Sequence, residues 1–215
     1  MGGMGLERYL LFVKGLLVMN AWNFRATYYR YARRWGFLRT IKRAEDHAAE
    51  ELLQLMDMIP ARYLDLGCGQ QEPLPALRAS QRVAVDSAPG MLKRVGHGAG
   101  IYPVCADICN LPFKEELFSL AVAIGVAEYL KINTLWLEEV ARRLKPGGFF
   151  LLTATNPGIW ALLRHLTGSR IHCHPREDIL NRTATAGFSL LRAKQLWTQE
   201  IYLFRVQVDP SFRTA

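Results

Sequence analysis

From about residue 44 to residue 208 the chain alternates two hydrophobic periods, and that alternation constrains its fold more than any single motif. "RAEDHAAEELLQLM" has the helical period, with Ala48, Leu52, Leu55 and Met56 on one face. Pro60 ends it, and "RYLDLG" reads as a buried strand. "LPALRAS" follows as a short helix, "RVAVDS" as a second strand, and "PGMLKRVG" as a helix opened by Pro89. "IYPVCADI" and "LFSLAVAIG" are the third and fourth strands. "INTLWLEEVARRLK" is a helix stopped by Pro146-Gly147-Gly148, and "FFLLTATNP" is the fifth strand. A helix over 174–187 and a closing strand pair, "FSLLRAKQLW" and "IYLFRVQV", complete a seven-stranded set. Repeated strand–helix units predict an α/β, doubly wound, mostly parallel sheet whose ligand lies at the carboxyl ends of its strands. With 215 residues, half of them hydrophobic, the chain buries one good-sized core, so one domain with an appendage is expected.

The appendage is marked by charge. Residues 1–43 hold nine bases and a single acid, Glu7, which accounts for the whole net charge of +8. The rest of the chain is balanced. Such an asymmetry points to an acidic partner or surface for this arm. "YLLFVKGLLVM" is apolar, but Lys14 interrupts it, no small-residue cleavage site follows, and the run is short of the roughly 20 residues that span a bilayer. Leu6 stands where an N-myristoylation signal needs Ser or Thr. Residues 6–35 therefore read as one or two amphipathic helices. The domain plan is an arm over 1–43, a body over 44–207 and a frayed tail over 208–215. The four cysteines have no disulfide-framework spacing, which suits reduced thiols and a cytoplasmic protein.

Asp65-Leu66-Gly67-Cys68-Gly69 leaves the first strand. Gly67 and Gly69 let backbone approach a ligand closely. A dinucleotide site would read Gly-x-Gly-x-x-Gly, and here the third glycine is absent. Asp65 would repel a pyrophosphate and suits an ammonium group instead. Asp86 ends the second strand, where a ribose-binding acid belongs. Asp107 ends the third, placed to accept from an exocyclic adenine amine. Ammonium, ribose and adenine without phosphate describe S-adenosylmethionine (SAM). The bland alternative for Asp86 and Asp107 is a pair of solvated strand-end acids.

These residues, with Pro89-Gly90-Met91, Ala106-Asp107-Ile108, Leu111-Pro112-Phe113, Glu128-Tyr129-Leu130 and "EEVARRLKPGGFFLLTATNP", make the chain resemble class I SAM-dependent methyltransferases. The nearest branch is the small-molecule and lipid group that includes the ubiquinone/menaquinone methyltransferases. The resemblance covers residues 44 to about 205 and implies a Rossmann-like methyltransferase fold. It also implies that Asp65, Gly67, Cys68 and Gly69 hold the methionine moiety and that Asp86 and Ser87 meet the ribose. Met91, Asp107 and Ile108 would surround the adenine, and Ile124-Gly125 would line the path to the methyl group. Gln71 stands where the family usually has a further glycine, and Tyr129 where it often has histidine.

The expected activity is methyl transfer from SAM to an oxygen, nitrogen or carbon nucleophile on a small lipophilic acceptor. A base is needed only where the acceptor must lose a proton. Candidates are Glu128, His172, His174, Tyr28 and Tyr29. Glu128 is equally readable as a tether for the next helix. His172-Cys173-His174 lacks a second ligand pair at zinc spacing, so no metal is expected. The family places an N-terminal helical lid over the pocket, and the arm's aromatics, Tyr28, Tyr29 and Trp35 among them, fit that role. Bases alternating with apolar residues also fit peripheral docking on an anionic membrane, the alternative being solvated charges on a packed helix. Two rival functions are a non-catalytic SAM-binding scaffold and a nucleic-acid methyltransferase. Against the latter, the fourth strand ends in "AIGVAEYL", without the Asn/Asp-Pro-Pro-Tyr type of block.

Overall fold

A computed structural model describes residues 36–57, 59–70, 72–78, 80–93, 95, 98, 100–130, 134–155, 157–158 and 171–207. The arm up to residue 35, with Tyr28 and Tyr29, and the tail from 208 lie outside the described residues, as does Gln71.

The first helix, α1 (Gly36–Leu53), leads into β1 (Arg62–Leu66), a 3-10 turn (Pro75–Leu77), β2 (Gln81–Asp86), α2 (Pro89–Leu92), β3 (Ile101–Cys105) and β4 (Phe118–Ala123). A second 3-10 turn (Ala127–Tyr129) precedes α3 (Thr134–Arg143) and β5 (Leu144–Thr155). Then come α4 (Arg176–Thr185), β6 (Phe188–Gln195) and β7 (Gln199–Val206). The seven strands form one sheet in the order β3-β2-β1-β4-β5-β7-β6. β1 to β5 pair in parallel, whereas β7 runs antiparallel between β5 and β6. The expected doubly wound, mostly parallel seven-stranded sheet is what the chain forms.

Both sheet faces are covered, which is why the central strands are continuous apolar runs rather than alternating ones. On one face Leu64, Leu66, Ala121, Ala123, Phe150, Leu152, Tyr202 and Phe204 meet Trp136, Leu137 and Val140 of α3 and Ile179 of α4. On the other, Tyr63, Leu120, Val122, Leu151, Ile201 and Leu203 meet Ala48, Ala49, Leu52 and Leu53 of α1. Polar links fix α1 against the closing hairpin: Thr198 Oγ1 donates to Glu45 Oε1 at 2.6 Å, and Lys194 pairs with Glu51.

Some elements differ from their sequence expectation. The helix expected over 74–80 is only the 3-10 turn, and that over 89–96 is the single turn of α2. Proline starts both, and Leu74 and Leu77 at the first and Met91, Leu92 and Val95 along the second are buried. β5 starts at Leu144, before the Pro-Gly-Gly that was expected to separate helix from strand. A register shift between Phe118 and Leu120 absorbs that segment in the β4–β5 pairing. α1 runs through residue 43, so the charge boundary of the arm falls inside a helix.

Candidate active site at the carboxyl ends of β1, β2 and β4

Strand order reverses between β1, whose successor β2 lies on one side, and β4 on the other. Ligands of open α/β sheets bind outside the strand ends at such a switch point. The turn after β1 is built for close approach. Gly67 and Gly69 have φ of 59° and 53°, a region that costs L-residues energy. At Gly67 a Cβ would also lie 2.5 Å from Val126 Cγ2, so the turn packs directly on the segment leaving β4. Cys68 between them is buried, its amide bonded to Val85 O at 3.0 Å, and burial pushes its thiol far up, away from thiolate chemistry.

Asp86 closes the turn from the β2 side. Its Oδ2 accepts from Gly69 N at 2.9 Å and its Oδ1 from Ala88 N at 2.8 Å. Burial raises the carboxyl pKa, and those two amides oppose the rise. Each oxygen retains a lone pair, so the carboxylate that shapes the loop can still accept a ligand hydroxyl. Ser87 is exposed beside it, and Met91 is buried in contact with Ala88, its sulfur 3.6 Å from Gln70 Nε2.

Asp65 has a partner that the glycine motif does not reveal. Arg82 on β2 donates from Nε to Asp65 Oδ2 at 2.6 Å, and its Nη2 lies at the same distance. The guanidinium is almost wholly buried. Burial raises the Asp65 carboxyl above its ordinary value, and Arg82 opposes that rise only in part. Asp65 opens on a small cleft that it shares with Tyr63, Cys68, Val122, Ile124 and, from α1, Lys42. Gly125, with φ of 70°, donates its amide to Thr153 Oγ1 at 2.9 Å, which pins the end of β4 to β5.

Asp107 lies on an exposed turn beyond β3, where its Oδ1 accepts from Cys109 N at 2.9 Å. Ile108 next to it is buried in the main core. The loop is clamped from behind by Glu139 of α3, whose Oε1 accepts from Leu111 N at 2.8 Å. Arg143, bound to the same carboxylate, donates to Phe113 O at 2.7 Å.

The base candidates separate. Glu128 is buried in the turn after β4, and its carbonyl accepts from His172 N at 2.7 Å. The His172 ring is exposed beside that of His174, with centroids 6.1 Å apart. His174 is buried, and its Nε2 lies 3.1 Å from both Ala127 O and Leu130 O. Two carbonyls can only accept, so Nε2 carries the proton and ties the segment after β4 to the segment before α4. Among the described residues no cluster of three or more His, Cys, Asp or Glu side chains has the arrangement of a metal site.

Sequence reasoning missed Arg82, Glu139 and Thr153. Only Arg82 left a local trace, as a charge at the head of an otherwise apolar strand.

The glycine turn, the two strand-end acids and the switch point agree with comparison to known proteins. Residues 64–152 match the family of the methyltransferase domain. This segment is therefore similar to a methyltransferase domain. Outside it the likeness continues in fold. A magnesium protoporphyrin IX methyltransferase from Synechocystis PCC 6803, solved with SAH bound, superposes with a TM-score of 0.65 over 89% of this chain and 99% of that one, at 15% identity. Among curated relatives, a malonyl-[acyl-carrier protein] O-methyltransferase of Dechloromonas aromatica (strain RCB) is 31% identical over 115 residues, 52% of this chain and 43% of that protein. A tRNA (carboxymethyluridine(34)-5-O)-methyltransferase of Arabidopsis thaliana is 32% identical over 101 residues, 46% of this chain and 24% of that one. The chain thus matches less than half the length of these curated relatives. The glycine cradle and the strand-end carboxylates Asp65 and Asp86 have the chemistry to fit SAM. SAM supplies a methyl group already activated by its sulfonium.

Proposed function

We propose that the chain transfers the methyl group of SAM to a small, lipophilic acceptor such as a quinone, phenol or lipid. The observation that carries this reading is the meeting of Asp65, the Gly67–Gly69 turn and Asp86 around one end of the sheet, beside the cleft that Ile124 lines. In this reading Asp65 and the glycine turn hold the amino-acid end of SAM, and Asp86 with Ser87 holds the ribose. Met91 and Ile108 flank the adenine, and Asp107 takes its amine. Ile124 and Gly125, fixed by Thr153, border the methyl path. The domain's main work is alignment, worth up to about 7–11 kcal/mol when donor and acceptor are held in line. Where the acceptor must lose a proton, the exposed ring of His172 is better placed than His174, whose Nε2 proton is committed to two carbonyls. Glu128 is buried, and Tyr28 and Tyr29 of the arm complete the set.

The malonyl-[acyl-carrier protein] relative supports an acyl-type acceptor, and the bases of residues 1–43 support docking of the arm on an anionic membrane. Among the described residues no helix is long and apolar enough to cross a membrane. A second reading, methylation of tRNA, is favoured by the Arabidopsis relative and by the same bases. One experiment separates them: turnover of SAM to S-adenosylhomocysteine with fatty acids and acyl thioesters, with quinols, and with bulk tRNA. Turnover with a lipophilic acceptor, enhanced by anionic vesicles and lost at high salt, supports the first reading. Turnover with tRNA alone replaces it, and SAM binding without turnover on any acceptor favours a scaffold.

A further inference from the structure

Arg82 is an expensive residue for β2. The strand is flanked on both sides, and Arg82 is only 3% exposed. A guanidinium in that position costs several kcal/mol in lost hydration unless a carboxylate meets it. The carboxylate is Asp65, whose Oδ2 accepts from Nε at 2.6 Å; Nη2 lies equally near as an ion pair but makes no hydrogen bond among the described residues. Among the described residues no hydrogen bond occupies Asp65 Oδ1. Tyr63, directly across the ladder from Arg82, lines the same cleft with a buried hydroxyl that has no hydrogen-bond partner.

The charges around Asp65 make Arg82 decisive. Asp86 faces it from β2, Tyr63 from β1 and Cys68 from the turn, while Lys42 and Asp46 of α1 and Glu72 after the turn line the cleft. Lys42 is engaged with Asp46 at 2.6 Å, so Arg82 is the cation that grips Asp65 itself.

We propose that Arg82 is a positioning residue for the methyl donor: it anchors one oxygen of Asp65 and favours its charged form, leaving the other oxygen to receive the ammonium group of SAM. This rests on the proposed role of Asp65. Burial and Asp86 both push the Asp65 carboxyl up, and the contact and charge of Arg82 act against them. Without Arg82 the carboxyl takes up a proton at higher pH, and the protonated acid is a poor partner for an ammonium.

The test is calorimetric titration of the full chain with SAM between about pH 8.5 and pH 6, using wild type, Arg82→Gln, Arg82→Lys and Asp65→Asn. Wild type should gain affinity as pH falls toward about 7.7, where the amino group of SAM protonates, and below that should vary less with pH than the Arg82 variants. Arg82→Gln should lose affinity as pH falls, by up to about tenfold for each unit below the raised carboxyl pKa. Arg82→Lys keeps the charge without the Nε hydrogen bond and should fall between them. It also stands in for Arg82→Gln if that variant does not fold. Asp65→Asn should bind weakly with no added pH dependence. Arg82 variants whose pH profiles run parallel to wild type, at any affinity, overturn the proposal. Wild-type affinity in Asp65→Asn would instead remove the role of Asp65 on which it rests.

Discussion

Replacing Asp86 by alanine should produce two separable losses, because its carboxylate has two kinds of partner. Its oxygens hold the amides of Gly69 and Ala88 at 2.9 and 2.8 Å. A hydrogen bond to a charged group contributes about 1.5–3 kcal/mol, and the side chain is half-buried, so water can reach the freed amides and the lower end applies. The two bonds together then cost roughly 2–4 kcal/mol. For a chain of this size, where 1 kcal/mol moves Tm by about 2–4 °C, the unliganded variant should melt roughly 5–15 °C lower. The second loss is the ribose contact: one further charge-assisted bond, or about 10- to 150-fold in SAM affinity. SAM at 100 times the wild-type Kd stabilises wild type by about 2.7 kcal/mol, and the variant should gain far less at that concentration. Thermal melts with and without SAM, together with calorimetric titration, measure both. An unliganded Tm equal to wild type would show that the carboxylate does not hold the turn. Unchanged affinity beside a lowered Tm would remove the ribose assignment and leave Asp86 a purely structural acid.

Gly67→Ala meets both a positive φ and Val126 at 2.5 Å, so it should cost at least about 1–3 kcal/mol and abolish measurable SAM binding; adding Val126→Ala should recover only part of the Tm, since the backbone strain remains. Glu139→Gln breaks a buried carboxylate's links to Arg142, Arg143 and Leu111 N and should destabilise by about 3 kcal/mol at neutral pH, read by denaturant unfolding. Although burial pushes Glu139 up, the Arg143 bond and Leu111 amide outweigh it and hold its pKa below the ordinary value. Its stabilisation is therefore full above about pH 4.3 and fades as pH falls through the folded-state pKa, so wild type and variant should converge in acid. His174→Ala should lower Tm through loss of a buried tie worth about 1–3 kcal/mol, whereas His172→Ala, exposed, should leave Tm unchanged and lower kcat with little change in KM for SAM; the reverse pattern would exchange their roles.

How much of this was legible beforehand follows from what is local. Strand and helix periods, proline stops and the Asp-Leu-Gly-Cys-Gly turn are written in consecutive residues, so the seven strands and the site's end of the sheet could be read directly. Element lengths were less legible. The segments expected as helices over 74–80 and 89–96 form single turns although Leu74, Leu77, Met91, Leu92 and Val95 are all buried, so the apolar pattern alone did not set their length. The antiparallel insertion of β7 between β5 and β6 depends on which edge the closing hairpin joins, and no local pattern encodes that.

The sequence by itself determined the fold class and the chemistry of the ligand, because backbone period and the acids at strand ends depend only on near neighbours. Tertiary structure alone decided how those acids are held. Arg82 lies 17 residues from Asp65 in sequence, Glu139 28 residues from Leu111, and His174 47 from Ala127, yet each pair is in hydrogen-bond contact. Such partners are chosen when parallel strands align in register and crossover helices return to the sheet, and a buried charge or imidazole must then find its partner where the fold has brought one.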